Sequence, residues 1–219
     1  MPPPRDSFGL ALGALRARLR QALDGPGAAL PIQRIAQDLR LSPTPVREAL
    51  SRLAGEELVD KRGPAYTRPL LDSPALAELY NLRLLYLGAA LAPGASRRPR
   101  HRQWPARPPR ALAGDLAAEA QDPAAMVEAV FLEIVLRADD LMLAQAYQRT
   151  HERLAPFLDL ERRLFDDAVG EAIGLARAFE AGQGRALRIA VRTYHRRRIG
   201  AAHALARLAD GAKYRTDII

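Results

Sequence analysis

Between Pro31 and Arg68 the chain is confined to two short helices turned against each other and closed by a hairpin. Pro31 opens a helix through Ile32, Ile35, Ala36 and Leu39. Ser42 then caps a second helix, with Pro43 and Pro45 in its first turn, where a missing N–H is tolerated. Val46, Ala49, Leu50 and Leu53 recur along that helix as one buried stripe. Beyond it, Leu58-Val59-Asp60-Lys61 and Ala65-Tyr66-Thr67-Arg68 flank Arg62-Gly63-Pro64, a pattern that reads as a small two-stranded wing. Upstream, Phe8, Leu12, Leu15, Leu19 and Leu23 recur at helical spacing, with Ser7 as N-cap and Asp24-Gly25-Pro26-Gly27 as the stop. Three helices followed by a β-wing make a winged helix-turn-helix.

Asp72-Ser73-Pro74 punctuates the chain, and after it only helical periodicities occur. A helix is predicted from about Ala75 to Leu91. Asp122, followed by Pro123, opens another through Met126, Val130, Phe131, Ile134 and Val135. Further helices are predicted over Asp139 to Leu154, Phe157 to Ala181 and Arg185 to Ala209, with Gly182 as a terminator. The expected fold class is mainly α: a winged helix-turn-helix domain over 1–70 and an all-helical bundle over 71–219. Ala92 to Arg110 interrupts the second domain with six arginines, five prolines and Trp104. Proline at that density prevents a helix, and the segment reads as a solvated flexible loop or, as the alternative, a nucleic-acid-binding arm.

The net charge of +8 points to a polyanionic partner. With no cysteine, thiolate metal sites, disulfides and cysteine nucleophiles are excluded. Met1 to Asp6 is Pro-rich with no apolar signal core behind it, and apolar stretches fall short of the roughly 20 residues of a membrane span. The expectation is therefore a cytoplasmic, soluble protein. It is also expected not to be an enzyme. His101, His151, His195 and His203 are scattered, no phosphate-cradling glycine loop or nucleophile elbow is present, and Asp139-Asp140 and Asp166-Asp167 read as caps or solvated faces.

A helix that enters the major groove does so by its N-terminal end, bringing polar and cationic groups to base edges and phosphates. Ser42, Thr44 and Arg47 lie on the exposed front of the second helix of the pair, whose positive dipole end also favours phosphate. Arg47 has the bidentate fork that suits guanine or phosphate, and Arg52 lies further along toward the backbone. In the wing, Lys61, Arg62 and the turn residue Gly63 would meet a flanking phosphate or the minor groove. Double-stranded DNA is the partner this pattern selects.

The segment Ile35 to Leu53, and above all Thr44-Pro45-Val46-Arg47-Glu48-Ala49-Leu50, resembles the helix-turn-helix of GntR-family regulators in their FadR-like branch. The match spans about Leu10 to Pro69. It departs at Pro43, where many relatives carry arginine, and at Glu57, where glycine is usual. The resemblance implies a transcription regulator, a repressor acting as a homodimer on a palindromic operator. It also implies a helical effector domain of the FCD kind, opened by Ala77 to Leu84. That domain family binds a divalent metal through one aspartate and three histidines. Here those positions fall on Glu128, Leu132, Ala172 and His195, a set too poor in donors to hold a metal. No metal and no cofactor are expected. Arg83, Glu128, Arg137 and His195 remain the candidates for holding a small organic acid or sugar-acid effector. The plainer reading of His195 is a satisfied or solvent-facing histidine, and of Glu128 a polar residue at the core's edge. The alternative to an effector-responsive regulator is a ligand-blind basic DNA-binding protein derived from one.

Overall fold

The computed structural model describes residues 6–20, 24–94 and 122–216. In chain order the elements are α1 (Ser7–Arg20), α2 (Ile32–Leu39), α3 (Pro43–Gly55), β1 (Asp60–Arg62), β2 (Ala65–Thr67), α4 (Ser73–Ala90), α5 (Pro123–Arg137), α6 (Leu141–Leu154), α7 (Leu158–Leu164), α8 (Ala168–Glu180), α9 (Gly184–Gly200) and α10 (Ala202–Thr216). Residues 95–110 of the Arg/Pro-rich interruption lie outside the described residues. No helix among the described residues is long and apolar enough to cross a membrane.

By compactness the chain forms two units. The first comprises 1–73 together with 151–160 and 203–219, the second 74–150 with 161–202. This partition is not sequential, whereas the sequence reading draws one cut after residue 70.

In the first unit the three helices close over Ala11, Leu15, Leu19, Ile35, Ala36, Val46, Ala49, Leu50 and Leu53, all buried. The apolar stripe of α1 starts one turn later than its spacing predicts. Phe8 is exposed, Leu12 is half-buried, and the buried positions are Ala11, Leu15 and Leu19. Asp6, rather than Ser7, caps this helix: its Oδ1 accepts the Gly9 N–H at 2.8 Å. Between α2 and α3 the chain turns on Arg40 at φ 54°, a left-handed residue whose N–H and that of Leu41 return to Gln37 and Ala36. The wing pairs Asp60 with Thr67, Lys61 with Tyr66 and Arg62 with Ala65. Gly63 turns it at φ 61°, a conformation that favours glycine. Ala29 bridges Thr67 from the other side, so the wing is sewn onto the segment before α2.

The second unit buries Met126, Val130, Phe131, Ile134 and Val135 of α5 as their spacing predicts. Two predicted helices are broken. Phe157 to Ala181 divides into a single 3-10 turn (Ala155–Phe157), α7 and α8. The break follows Phe165, which is buried and stacked by Arg197 and Arg198 at 4.5 and 4.7 Å. Phe165 still donates its N–H to the Glu161 carbonyl at 2.9 Å, and the chain then turns through Asp166-Asp167 into α8. Arg185 to Ala209 divides at Ala201, which leaves α geometry at φ −93°, ψ 2° directly after Gly200.

The start of α5 is the clearest local device. Asp122 Oδ1 accepts from the N–H of Ala124 at 3.1 Å and of Ala125 at 3.3 Å, while Pro123 occupies the first helical position. Asp122→Ala is expected to cost about 1 kcal/mol of stability, read as a lower denaturation midpoint at unchanged m-value.

Candidate nucleic-acid interface and buried arginine site

The back of α3 is its apolar stripe: Val46, Ala49, Leu50 and Leu53 are each 0% exposed. That burial fixes the helix rotation and leaves Ser42, Thr44, Arg47, Glu48, Ser51 and Arg52 exposed. Ser42 stands at the N-cap position (φ −72°, ψ 160°) but makes no side-chain cap bond. The usual targets of a cap are the second and third amides of the helix, and the third here is Pro45, which has no N–H. The Ser42 hydroxyl thus stays at the open end of the helix, beside Thr44. The wing presents Lys61, Arg62 and Gly63 to solvent, with Arg62 held loosely by Asp60 at 3.9 Å. The Ser51 and Tyr66 hydroxyls, 2.6 Å apart, pin the wing to the helix.

Arg52 is more committed than the sequence suggests. Its Nε donates to Glu56 Oε1 at 2.9 Å, so only its outer nitrogens face solvent. Glu56 also receives Arg16 Nη2, and Arg16 Nη1 reaches Glu152 Oε2 at 3.4 Å. Next to it, Glu57 sits at φ 61°, in the left-handed region, where the resemblance expects glycine. For a residue with a Cβ this costs about 1–2 kcal/mol. Arg153 Nη1 pairs with Glu57 Oε2 at 2.7 Å. An exposed pair of this kind is worth about 0.2–1 kcal/mol, the same order as the strain. Arg16, Glu152 and Arg153 carry no signal in the sequence that would have singled them out.

Further into the first unit, Arg68 is buried behind β2. Its Nη2 donates to the Leu19 carbonyl at 3.2 Å, while Nε and Nη1 have no hydrogen-bond partner among the described residues. Burial pulls its pKa down to about 10, against the opposing charges of Asp24 and Glu152.

In the second unit, three of the four predicted effector residues fall in one neighbourhood. Arg83 and His195 are both buried, and Arg83 Nε donates to His195 Nε2 at 3.1 Å. The other ring nitrogen, Nδ1, lies 2.7 Å from the Val191 carbonyl and is therefore the protonated one. The guanidinium is stacked by Tyr80, Phe131 and Tyr194 at 5.3, 5.6 and 5.8 Å. Glu128, half-buried on α5, acts with Arg83 on the buried Tyr147 hydroxyl. Desolvation raises that hydroxyl's pKa, Arg83 lowers it and Glu128 raises it again. Arg137 stands apart: it is exposed, pairs with Glu133 at 3.0 Å and stacks on Phe179 at 4.2 Å.

Arg83 has no ion pair among the described residues, and its Nη2 has no hydrogen-bond partner there. Arg198, by contrast, is fully compensated. It donates from Nε to Glu161 Oε2 at 2.6 Å, pairs through Nη1 with Glu171 at 2.9 Å and donates to the Tyr194 carbonyl. Glu161 also accepts the Tyr80 and Tyr194 hydroxyls at 2.7 and 3.1 Å. A divalent metal does not fit this neighbourhood. Leu132 and Ala172 offer no donor atom, and both nitrogens of His195 are engaged, one by a cation.

Residues 11–63 match the family described as bacterial regulatory proteins, gntR family, which makes this segment a GntR-family helix-turn-helix domain. No curated protein matches the chain. Two solved structures share the fold over most of its length. E. coli McbR/YncC is 21% identical with a TM-score of 0.64, covering 91% of this chain and 98% of its own. A protein described as a transcriptional regulator GntR from Rhodococcus sp. RHA1 is 22% identical with a TM-score of 0.57, covering 89% and 96%.

Burial and the Arg83 charge hold the His195 pKa well below its ordinary 6.5, against the favourable Val191 bond. The unfolded chain binds a proton here near pH 6.5 that the folded chain refuses. The stability from His195 is therefore complete above that pH and lost as pH falls toward the folded value. Between pH 7 and 5.5 the wild-type chain is expected to lose about 1 kcal/mol more than His195→Asn, read from denaturant titrations at each pH.

Proposed function

We propose that the chain is a GntR-type transcription regulator, a repressor that binds a palindromic operator as a homodimer. The observation that carries this reading is the division of α3 into a fully buried back and an exposed front bearing Ser42, Thr44 and Arg47 at its N-terminal end. Such a helix is built to be inserted end-on into the major groove. Ser42, Thr44 and Arg47 supply base and phosphate contacts at the helix start. The outer nitrogens of Arg52, with Lys61, Arg62 and the Gly63 turn, supply the sequence-independent part. A two-fold operator follows from the geometry of paired recognition helices, which read half-sites about one DNA turn apart. The functional modules in this reading are 1–70 for DNA and 71–219, of the FCD kind within a FadR-like branch, for effector and dimer contacts.

The effector we propose is a small organic acid or sugar acid whose carboxylate meets Arg83. A buried guanidinium without a carboxylate is costly even when stacked by aromatic rings, and the Nη2 of Arg83 is such a group. Glu128 lines the same neighbourhood and suits a hydroxyl of the ligand, while His195, both of whose ring nitrogens are engaged, orients the Arg83 guanidinium. The ligand-blind alternative draws on the engaged ring of His195 and the absent donors at Leu132 and Ala172.

Arg47→Ala is expected to cost about 1–3 kcal/mol at the operator selected from genomic fragments by wild type. Equal binding by both proteins would remove the recognition-helix assignment. In thermal-shift measurements with organic and sugar acids, a ligand at a hundred times its Kd should add about 2.7 kcal/mol to wild type. Arg83→Met should abolish that gain while leaving the unliganded chain as stable or more stable, because an uncompensated buried charge is removed. No shift with any acid would favour the ligand-blind reading.

A further inference from the structure

The hinge between α3 and the wing is not held by the helix-turn-helix alone. Its two glutamates meet charged side chains at the end of α6: Glu57 meets Arg153 directly at 2.7 Å, and Glu56 reaches Glu152 through the shared Arg16. Glu152 is 3% exposed and so fixed in place. Glu57 is 69% exposed and holds a left-handed backbone that a glutamate does not favour by itself. Residues 151–160 belong to the same compact unit as α3 and the wing, while Leu141–Thr150 of the same continuous helix belong to the other.

Resting on the DNA-binding reading above, we propose that Arg153 and Glu152 are positioning residues for the DNA-binding surface. Without touching DNA, they hold the Glu56-Glu57 hinge and thereby fix where Lys61 and Arg62 stand relative to Ser42, Thr44 and Arg47. Sequence-specific binding needs helix and wing in one register, whereas non-specific attraction depends on charge alone. The clamp should therefore act on specificity and leave electrostatic affinity intact.

The test uses the full chain, the operator selected by wild type and an unrelated duplex, each across a salt series. Arg153→Gln and Glu57→Gln are expected to weaken operator binding about fivefold, with unchanged binding to the unrelated duplex and an unchanged salt slope. Arg153→Lys, which keeps the charge, should recover most of the loss, as should the reversed pair Glu57→Arg with Arg153→Glu. On a Glu57→Gly background, where the left-handed turn is no longer strained, Arg153→Gln should cost nothing further. Three results would overturn the proposal. These are full operator affinity in Arg153→Gln, a salt slope lowered by about one, which would make Arg153 a phosphate contact, or the same loss on the Glu57→Gly background. Failure of wild type to prefer any sequence would instead count against the DNA-binding reading itself and is seen before any variant is made.

Discussion

The burial of four side chains on the back of α3 is the constraint on which the DNA-facing half depends. Val46, Ala49, Leu50 and Leu53 are all inaccessible, and each contributes roughly 1–3 kcal/mol for leaving water. No alternative rotation of the helix recovers that energy, so the polar front is fixed by the apolar back. Pro45 adds to this by removing the third amide of the helix, one of the two that an N-cap hydroxyl usually engages. Chemistry useful for recognition is thus a by-product of packing and of a proline-rich first turn.

The second unit rests on a different kind of interaction. The Glu161 carboxylate gathers two tyrosine hydroxyls and the Arg198 guanidinium, tying together α4, α7 and α9. Burial works against the Arg198 charge, but Tyr194, Glu161 and Glu171 outweigh it and hold its pKa above the ordinary value. Removing one partner from such a buried pair typically costs about 3–5 kcal/mol. Arg83, one turn from Tyr80 on α4, is left outside this arrangement with aromatic faces and a neutral histidine for company. Two buried arginines in one unit therefore have opposite standing: one is neutralised by carboxylates, the other meets none among the described residues.

Much of this was legible in the sequence, and the parts that were not share a cause. The stripe of α3, the wing register around Gly63, the Asp122 cap and the buried face of α5 are all local patterns, written in residues within a few positions of each other. The gathering of Arg83, Glu128 and His195 joins three separate helices, and only a resemblance suggested it. Arg137 was grouped with them but projects to solvent beside Glu133 and Phe179. The single predicted helix over Phe157 to Ala181 fails after Phe165, where the chain turns through Asp166-Asp167 while the apolar spacing runs on.

By itself, the sequence determined a winged helix-turn-helix followed by helices, and the polar front of α3. Each follows from residue type and short-range spacing, which hydrogen-bond geometry and helix periodicity translate directly into structure. Only the tertiary structure decided that the left-handed Glu57 pairs with Arg153 and that the buried Arg83 meets no carboxylate among the described residues. Those depend on which charges meet across long stretches of chain. Pairing between distant segments has no period along a sequence, unlike the i,i+4 pairs of a single helix, so only the folded chain brings such partners together.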